Sequence, residues 1–432
     1  MIKRDYYLNK LINSKENGLV KIITGIRRCG KSYLLFNIYY DYLINNGVDK
    51  DHIITLALDE LKNKKYRNPI ELDKHIDELI INDGKMNYVF IDEIQFVKEI
   101  DNEYLPGDKI GFIDVLLGLM KMPNVDVYVT GSNSKMLSSD VVTQFRGRGY
   151  EIRLHPITFK EYYDSLDDQN EKANAFENYM IYGGMPQIYA FDEEKKSEYL
   201  KSLLQNVYIK DVIERNNIKN DSLVLSELLD CVSSSIGSLT SYKKLADTFN
   251  SVANKRINSE TVSTYLSYFE DAFLISKARR YDIKGKAYID SPYKYYFEDI
   301  GIRNARLGFK EQDRTHIMEN IIYNELIARG FNVDVGVIEH YVKDEEMKTQ
   351  RIKYEIDFVC NKGNNRYYIQ SAYAIPDQDK NEQEIRGFKR IDDSYQKIVV
   401  MRERRLPLKD ENGILYIGVE EFLLNNKYTS NN

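Results

Sequence analysis

Residues Leu19–Leu43 read LVKIITGIRRCGKSYLLFNIYYDYL. A continuous apolar run from Leu19 to Thr24 stops at a glycine, and beyond Lys31 apolar side chains return at helical spacing. The pattern predicts a buried strand, a tight loop and a helix. The loop fits G-x-x-x-x-G-K-[ST] through Gly25, Ile26, Arg27, Arg28, Cys29, Gly30, Lys31 and Ser32, and Tyr33 continues onto the helix. Its glycines let the backbone wrap a phosphate chain with N–H groups, Lys31 is placed for the β and γ phosphates, and the Ser32 hydroxyl for Mg2+. The start of the helix adds the positive end of its dipole. The ligands expected are therefore ATP and Mg2+.

Two further stretches belong with this loop. In NYVFIDEIQFV, Asn87–Val97, four apolar residues from Tyr88 to Ile91 run into Asp92 and Glu93. This reads as a buried parallel strand ending in carboxylates, where doubly wound sheets gather their ligands. Asp92 is expected to hold Mg2+, and Glu93 to orient and deprotonate an attacking water. A kinase for small molecules needs the second acid less, so hydrolysis is favoured. The segment Val125–Asp164 contains another apolar run, Val125 to Thr130, then Ser132 and Asn133, which are placed to hydrogen-bond the γ phosphate or the water. Arg146 and Arg148 flank Gly147, and either is a candidate for an arginine delivered from a neighbouring subunit. That role would require a homo-oligomer.

These stretches together resemble the bacterial and archaeal AAA-type ATPases, whose loop reads G-x-R-R-x-G-K-[ST]. A later T-G-S, a G-R pair and P-[LI]-[ST]-F-x-E-[FY] complete the pattern, here at Thr130 to Ser132, Gly147 with Arg148, and Pro156 to Tyr162. The resemblance implies an ATP-hydrolysing core followed by a carboxy-terminal domain of uncharacterised function. It implies no particular client.

The bulk composition narrows the rest. At 432 residues, with 43% hydrophobic and 30% charged side chains, the chain is long enough for two to four domains. A net charge of -6 gives no whole-molecule case for nucleic acid, so any DNA surface must be local. Cys29, Cys231 and Cys360 form no zinc-type spacing and read as reduced thiols of a cytoplasmic protein. No stretch reads as a signal peptide or a membrane span.

The expected architecture is α/β: a P-loop AAA-type parallel-sheet ATPase domain over 1–163, a helical lid or linker over 164–225, a winged helix-turn-helix over 226–305, and a restriction-endonuclease-like α/β domain over 306–432. In the linker, Asp211 and Arg215 are one helical turn apart and read as a simple ion pair. In the winged helix, Lys243, Lys244, Lys255, Arg256, Lys277, Arg279, Arg280, Lys284 and Lys286 gather before the third helix and along the wing, whereas Glu260, Glu270 and Asp271 lie on that helix. DNA contact there rests on fold analogy and a modest basic wing.

The last domain is carried by YEIDFVCNKGNNRYYIQSAY, Tyr354–Tyr373, two apolar strands around an Asn/Gly turn after an amphipathic helix. It resembles the restriction-endonuclease-like fold, in which a helix Glu, a strand Asp and a [DE]-x-K strand hold Mg2+. The resemblance places Glu319 or Glu325 as the helix acid and Asp357 as the strand acid, with Gln370 where the second acid belongs and Ala372 where the lysine belongs. A neutral amide is a poor Mg2+ ligand, and alanine does none of lysine's work. Lys380, Arg386 and Lys389 are candidates for a displaced lysine. A degenerate nuclease-like domain on an ATP-driven switch or motor for DNA is the reading taken. An ATP-gated nuclease and a nucleotide-switched scaffold that recruits a protein without nucleic acid are the alternatives.

Overall fold

The computed structural model describes residues 2–132, 145, 147–218, 222–252, 256–310, 313–343, 349–374 and 378–430. The chain divides into two units, Met1–Pro156 with Asp271–Phe273, and Ile157–Glu270 with Leu274–Asn432. Asn133, Arg146 and Lys255 lie outside the described residues, as does the side chain of Lys380.

In the first unit, β1 (Val20–Thr24), β2 (Ile53–Ala57), β3 (Asn87–Asp92), β4 (Val125–Gly131) and β5 (Gly149–Arg153) form a wholly parallel sheet in the order β2-β3-β4-β1-β5. β1, β3 and β4 are buried along their whole length, which is why their sequences run apolar without alternation. Helices Pro69–Leu79 and Phe112–Met120 bring Leu72, Ile76, Val115, Leu116 and Leu119 into one core with Val20, Ile22, Val89, Ile91, Val127 and Val129. The first of these helices is fixed at its start by Asn68, whose side chain accepts the N–H groups of Ile70 and Glu71, and by a proline at the first position. Tyr39 packs against Phe90 and Tyr128 of the same sheet. Because β4 lies between β1 and β3, the end of β4 falls between the glycine loop and the two acids.

The second unit begins with helices. Phe159–Asp164, Gln169–Tyr182 and Glu193–Leu203 come first, and Asp211 pairs with Arg215 at 3.0 Å on Lys210–Arg215. Ser222–Ser234, Tyr242–Val252 and Ser259–Asp271 follow, then a hairpin of β6 (Ile275–Asp282) and β7 (Ala287–Phe297). The remaining strands are β8 (Asn332–Lys343), β9 (Thr349–Lys362), β10 (Asn365–Ala372), β11 (Gln396–Met401), β12 (Leu408–Lys409) and β13 (Leu415–Gly418). All eight form one mixed sheet in the order β12-β13-β11-β10-β9-β8-β6-β7. The hairpin expected as a wing is thus joined to the carboxy-terminal strands: Arg280–Asp282 of β6 run parallel to Val335–Val337 of β8. A division at 305/306 falls between strands of a single sheet.

One irregularity in this sheet matters for chemistry. Between the pairs Asp334 with Val359 and Gly336 with Ile356 the register shifts, so Asp357 and Phe358 together face Val335. Such a two-against-one bulge bends the strand and re-aims a side chain. Phe358 lies near Tyr296 and Tyr323, the latter on helix Arg314–Ala328, while Ile356, Val359, Tyr368, Ala372, Ile385 and Phe388 form a separate apolar core. Among the described residues, no helix is long and apolar enough to cross a membrane.

Candidate nucleotide site

The loop between β1 and the helix that opens at Lys31 turns through left-handed backbone at Gly25, Arg28 and Gly30, with φ of 143°, 69° and 101°. Gly25 has a steric reason as well: a Cβ there would stand 2.1 Å from the Leu154 carbonyl oxygen. Ile26 and Cys29 are buried beneath the loop, and the Cys29 thiol reaches the Leu154 carbonyl at 3.5 Å. Arg27 is half-buried, whereas Arg28 and Tyr33 are exposed. The Lys31 ammonium folds inward and donates to the carbonyls of Gly25 at 2.9 Å and Ile26 at 3.0 Å. The loop therefore closes around its own lysine.

The acids lie opposite, tied to the loop by hydroxyls. Ser32 Oγ is 2.9 and 2.8 Å from the two carboxylate oxygens of Asp92. Thr130, from β4, donates to Asp92 and accepts the Glu93 N–H at 3.0 Å, which fixes the orientation of both acids. Burial pushes the Asp92 carboxyl above the usual carboxylate range, the donors from Thr130 and Ser32 oppose that, and the charge of Glu93 adds to it. Glu93 itself sits in left-handed backbone at φ 53°. Its Oε2 accepts from Ser132 at 3.3 Å and from the amide of Gln95, which also lies 3.5 Å from Ser132 Oγ. Gln95 is a residue that sequence reasoning missed. Its position two residues after the second acid was the available signal.

Arg148 does not share this place. β1 and β5 pair in parallel from Val20 with Gly149 to Thr24 with Arg153, and the Val20 N–H binds the Arg148 carbonyl at 3.1 Å. Arg148 is exposed at the starting edge of these strands, about 13 Å along the sheet from the end that carries the loop. Arg153 is the arginine at the loop end, with its guanidinium 4.8 Å from the Phe273 ring centre.

The acids expected in the carboxy-terminal half separate into two groups. Glu325 pairs with Arg329 at 2.8 Å, and Arg329 also donates to the Phe422 and Leu423 carbonyls, a packing role. Glu319 and Asp357 instead meet at one buried lysine, Lys294 of β7, which the sequence reading did not single out. Gln370 is turned to the Glu384 carboxylate and the Asp357 N–H, each at 3.3 Å. Arg386 and Lys389, two of the candidates to replace the displaced lysine, are exposed. On the hairpin, Arg280 is buried and Lys277 is half-buried 3.7 Å from Glu270, so neither is free for a ligand's phosphates. Lys243, Lys244, Arg256, Arg279, Lys284 and Lys286 are exposed, with Arg279 lying 4.2 Å from the Tyr288 ring centre.

A parallel sheet with a phosphate-type loop on an interior strand and paired acids nearby defines a nucleotide-binding protein of AAA type. Comparison with known proteins agrees: residues 17–163 match an AAA domain, 173–313 a domain of unknown function (DUF8612) and 314–422 a second one (DUF4143). An uncharacterised protein of Haemophilus influenzae is 32% identical over 98% of this chain and 99% of its own length. One of Methanocaldococcus jannaschii is 31% identical over 90% of this chain and 81% of its own. The chain belongs to this family of AAA-domain proteins with domains of unknown function at the carboxy-terminal side. Among solved structures, it is similar to the Aeropyrum pernix ORC1 protein in complex with DNA at 12% identity and TM-score 0.27, over 76% of this chain and 94% of that one. The Bacillus subtilis DNA clamp loader delta protein gives 11% identity and TM-score 0.26, over 61% and 87%.

Proposed function

We propose that this chain binds Mg-ATP, hydrolyses it, and uses the nucleotide cycle as a switch or motor on DNA. The observation that carries the enzymatic part is the hydrogen-bonded chain from Ser32 through Asp92 and Thr130 to Glu93 and Ser132. Ser32 and Asp92 fit Mg2+, a hard cation that takes oxygen ligands, and the ion would neutralise charge on the phosphates. Gly25 to Ser32 would wrap those phosphates, and Lys31 would exchange two backbone carbonyls for β- and γ-phosphate oxygens. Glu93 is the group to take a proton from water, and Ser132 and Asn133 would orient that water or the γ phosphate. Gln95 holds Glu93 beside Ser132, so a nucleotide that reached Ser132 would compete for the same contacts and release the base.

Arg148, or its neighbour Arg146, would act only on the site of another subunit, since Arg148 lies at the far edge from its own loop. This makes a homo-oligomer part of the proposal. The DNA part rests on the exposed bases Lys243 and Lys244 of helix Tyr242–Val252, Arg256 ahead of the third helix, and Arg279, Lys284 and Lys286 of the hairpin. Three free cysteines fit a reducing cytoplasm.

The test is steady-state ATP turnover with and without double-stranded DNA, at low and moderate salt, with Glu93→Gln as the blank. Stimulation that fades with salt is expected, because phosphate contacts release counterions. An authentic rate that ignores DNA would instead support a protein-recruiting scaffold.

A further inference from the structure

Lys294 lies on β7 with 2% of its surface exposed. Its ammonium is 2.8 Å from Glu319, 2.8 Å from Glu355 and 3.1 Å from Asp357. An ammonium has three N–H donors, and three carboxylates surround this one. The carboxylates come from helix Arg314–Ala328 and from β9, so the lysine joins three separate elements of the second unit.

The nuclease-like reading of this region calls for a divalent ion at Glu319, Asp357 and Gln370, and these residues do not fit one. Gln370 spends its amide on Glu384 and the Asp357 N–H, and it shares a face of β10 with the core residues Tyr368 and Ala372. Both oxygens of Asp357 are engaged, one by Lys294 and the other by the Ser371 N–H at 2.9 Å. Glu319 Oε1 accepts from Lys294 and, at 2.6 Å, from the Tyr296 hydroxyl. Protein donors therefore occupy Glu319 Oε1 and both oxygens of Asp357, atoms a metal would need.

We infer that the Lys294 ammonium is the resident cation of this carboxylate centre, seated where a divalent ion would bind, and that it closes the centre to Mg2+ and to phosphodiester cleavage. The charge balance agrees. Burial alone would lower the proton affinity of Lys294, but Glu319, Asp357 and Glu355 hold it well above the usual range. Burial also pushes Glu319 up to about 7, with Lys294 opposing and Asp357 adding. The lysine charge thus offsets part of the negative charge that a divalent ion would otherwise balance.

The experiment is titration of nucleotide-free, full-length protein with Mn2+, read by electron paramagnetic resonance, for wild type, Lys294→Met and Lys294→Met/Asp357→Asn. Wild type should show no Mn2+ binding that depends on Asp357. Lys294→Met should bind Mn2+ at least about tenfold more tightly than wild type. In that variant Glu319, Glu355 and Asp357 are left without their cation, and the buried, unpartnered hydroxyl of Ser371 lies alongside. The double variant should lose the gain. A folded Lys294→Met that gains no site overturns the proposal. Should Lys294→Met not fold, wild type against Asp357→Asn decides: Mn2+ binding or Mn2+-dependent nicking of plasmid that Asp357→Asn abolishes overturns it, and equal behaviour of the two supports it.

Discussion

The chain contains two centres made of the same residue types, and they treat their lysine in opposite ways. In the first unit, Lys31 rests on neutral carbonyls while Asp92 and Glu93 are held by the hydroxyls of Ser32, Thr130 and Ser132. In the second, Lys294 is bound directly by three carboxylates. A neutral carbonyl gives up an ammonium to a phosphate at little cost, and a hydroxyl rotates to suit a new partner. Glu355 is exposed, but the pairs of Lys294 with Glu319 and Asp357 are buried and do not exchange in this way, because separating them strands charge in low dielectric. The first arrangement is built for turnover and the second for permanence.

The sharpest way to break the comparison is to remove each lysine. Lys294→Ala should destabilise the second unit by about 3–5 kcal/mol, the usual cost of leaving buried charge uncompensated, as read by urea denaturation of that unit's transition. Lys31→Ala should leave the fold intact and abolish ATP binding measured by calorimetry. A small stability loss at Lys294 would mean that water reaches Glu319 and Asp357 as it does Glu355. Next in size, Glu93→Gln should keep nucleotide affinity and lower turnover by about 10²–10⁴-fold, the range expected for a lost general base. Unchanged turnover would remove Glu93 from the role proposed for it.

The pH response separates the two centres further. Glu319 titrates near 7 in the folded protein against an ordinary value of 4.5, so between those values the folded chain keeps a proton that the unfolded chain has lost. Its contribution is fully present below about pH 4.5 and is lost as pH rises through 7. Glu319→Gln should flatten that decline in a denaturation series from pH 5 to 8. The smallest expected effect is that of Gln95→Ala, a change of a few-fold in turnover with no change in stability beyond about 0.5 kcal/mol, since the side chain is half-buried and acts through Glu93 and Ser132.

The two centres also differ in how readily the sequence disclosed them. Gly25 to Ser32 and Asp92 with Glu93 are short contiguous motifs, and the apolar runs before them show the strands on which they sit. Lys294 is 25 residues from Glu319 and 63 from Asp357, and it lies in a segment that reads as a wing strand. Only the pairing of β6 with β8 brings that segment to the nuclease-like strands, and parallel pairing between distant segments has no local signature. Glu319 was separable from Glu325 only once Arg329 was seen to occupy the latter. Arg148 is a third case. Its motif was visible, but which end of β5 it would mark depended on a register that the sequence does not state.

The hairpin β6–β7 has a consequence for modularity. It follows the three helices Ser222–Ser234, Tyr242–Val252 and Ser259–Asp271 in the chain, yet it completes the sheet that begins again at Asn332. A fragment starting at residue 306 would lose the neighbour of β8, leaving an open strand edge of the kind that seeds aggregation. The same cut would leave Glu319, Glu355 and Asp357 with no counter-charge. An expression strategy that severs the chain there would discard both a strand neighbour and the buried cation of the remainder, so the hairpin belongs with the carboxy-terminal strands in any fragment.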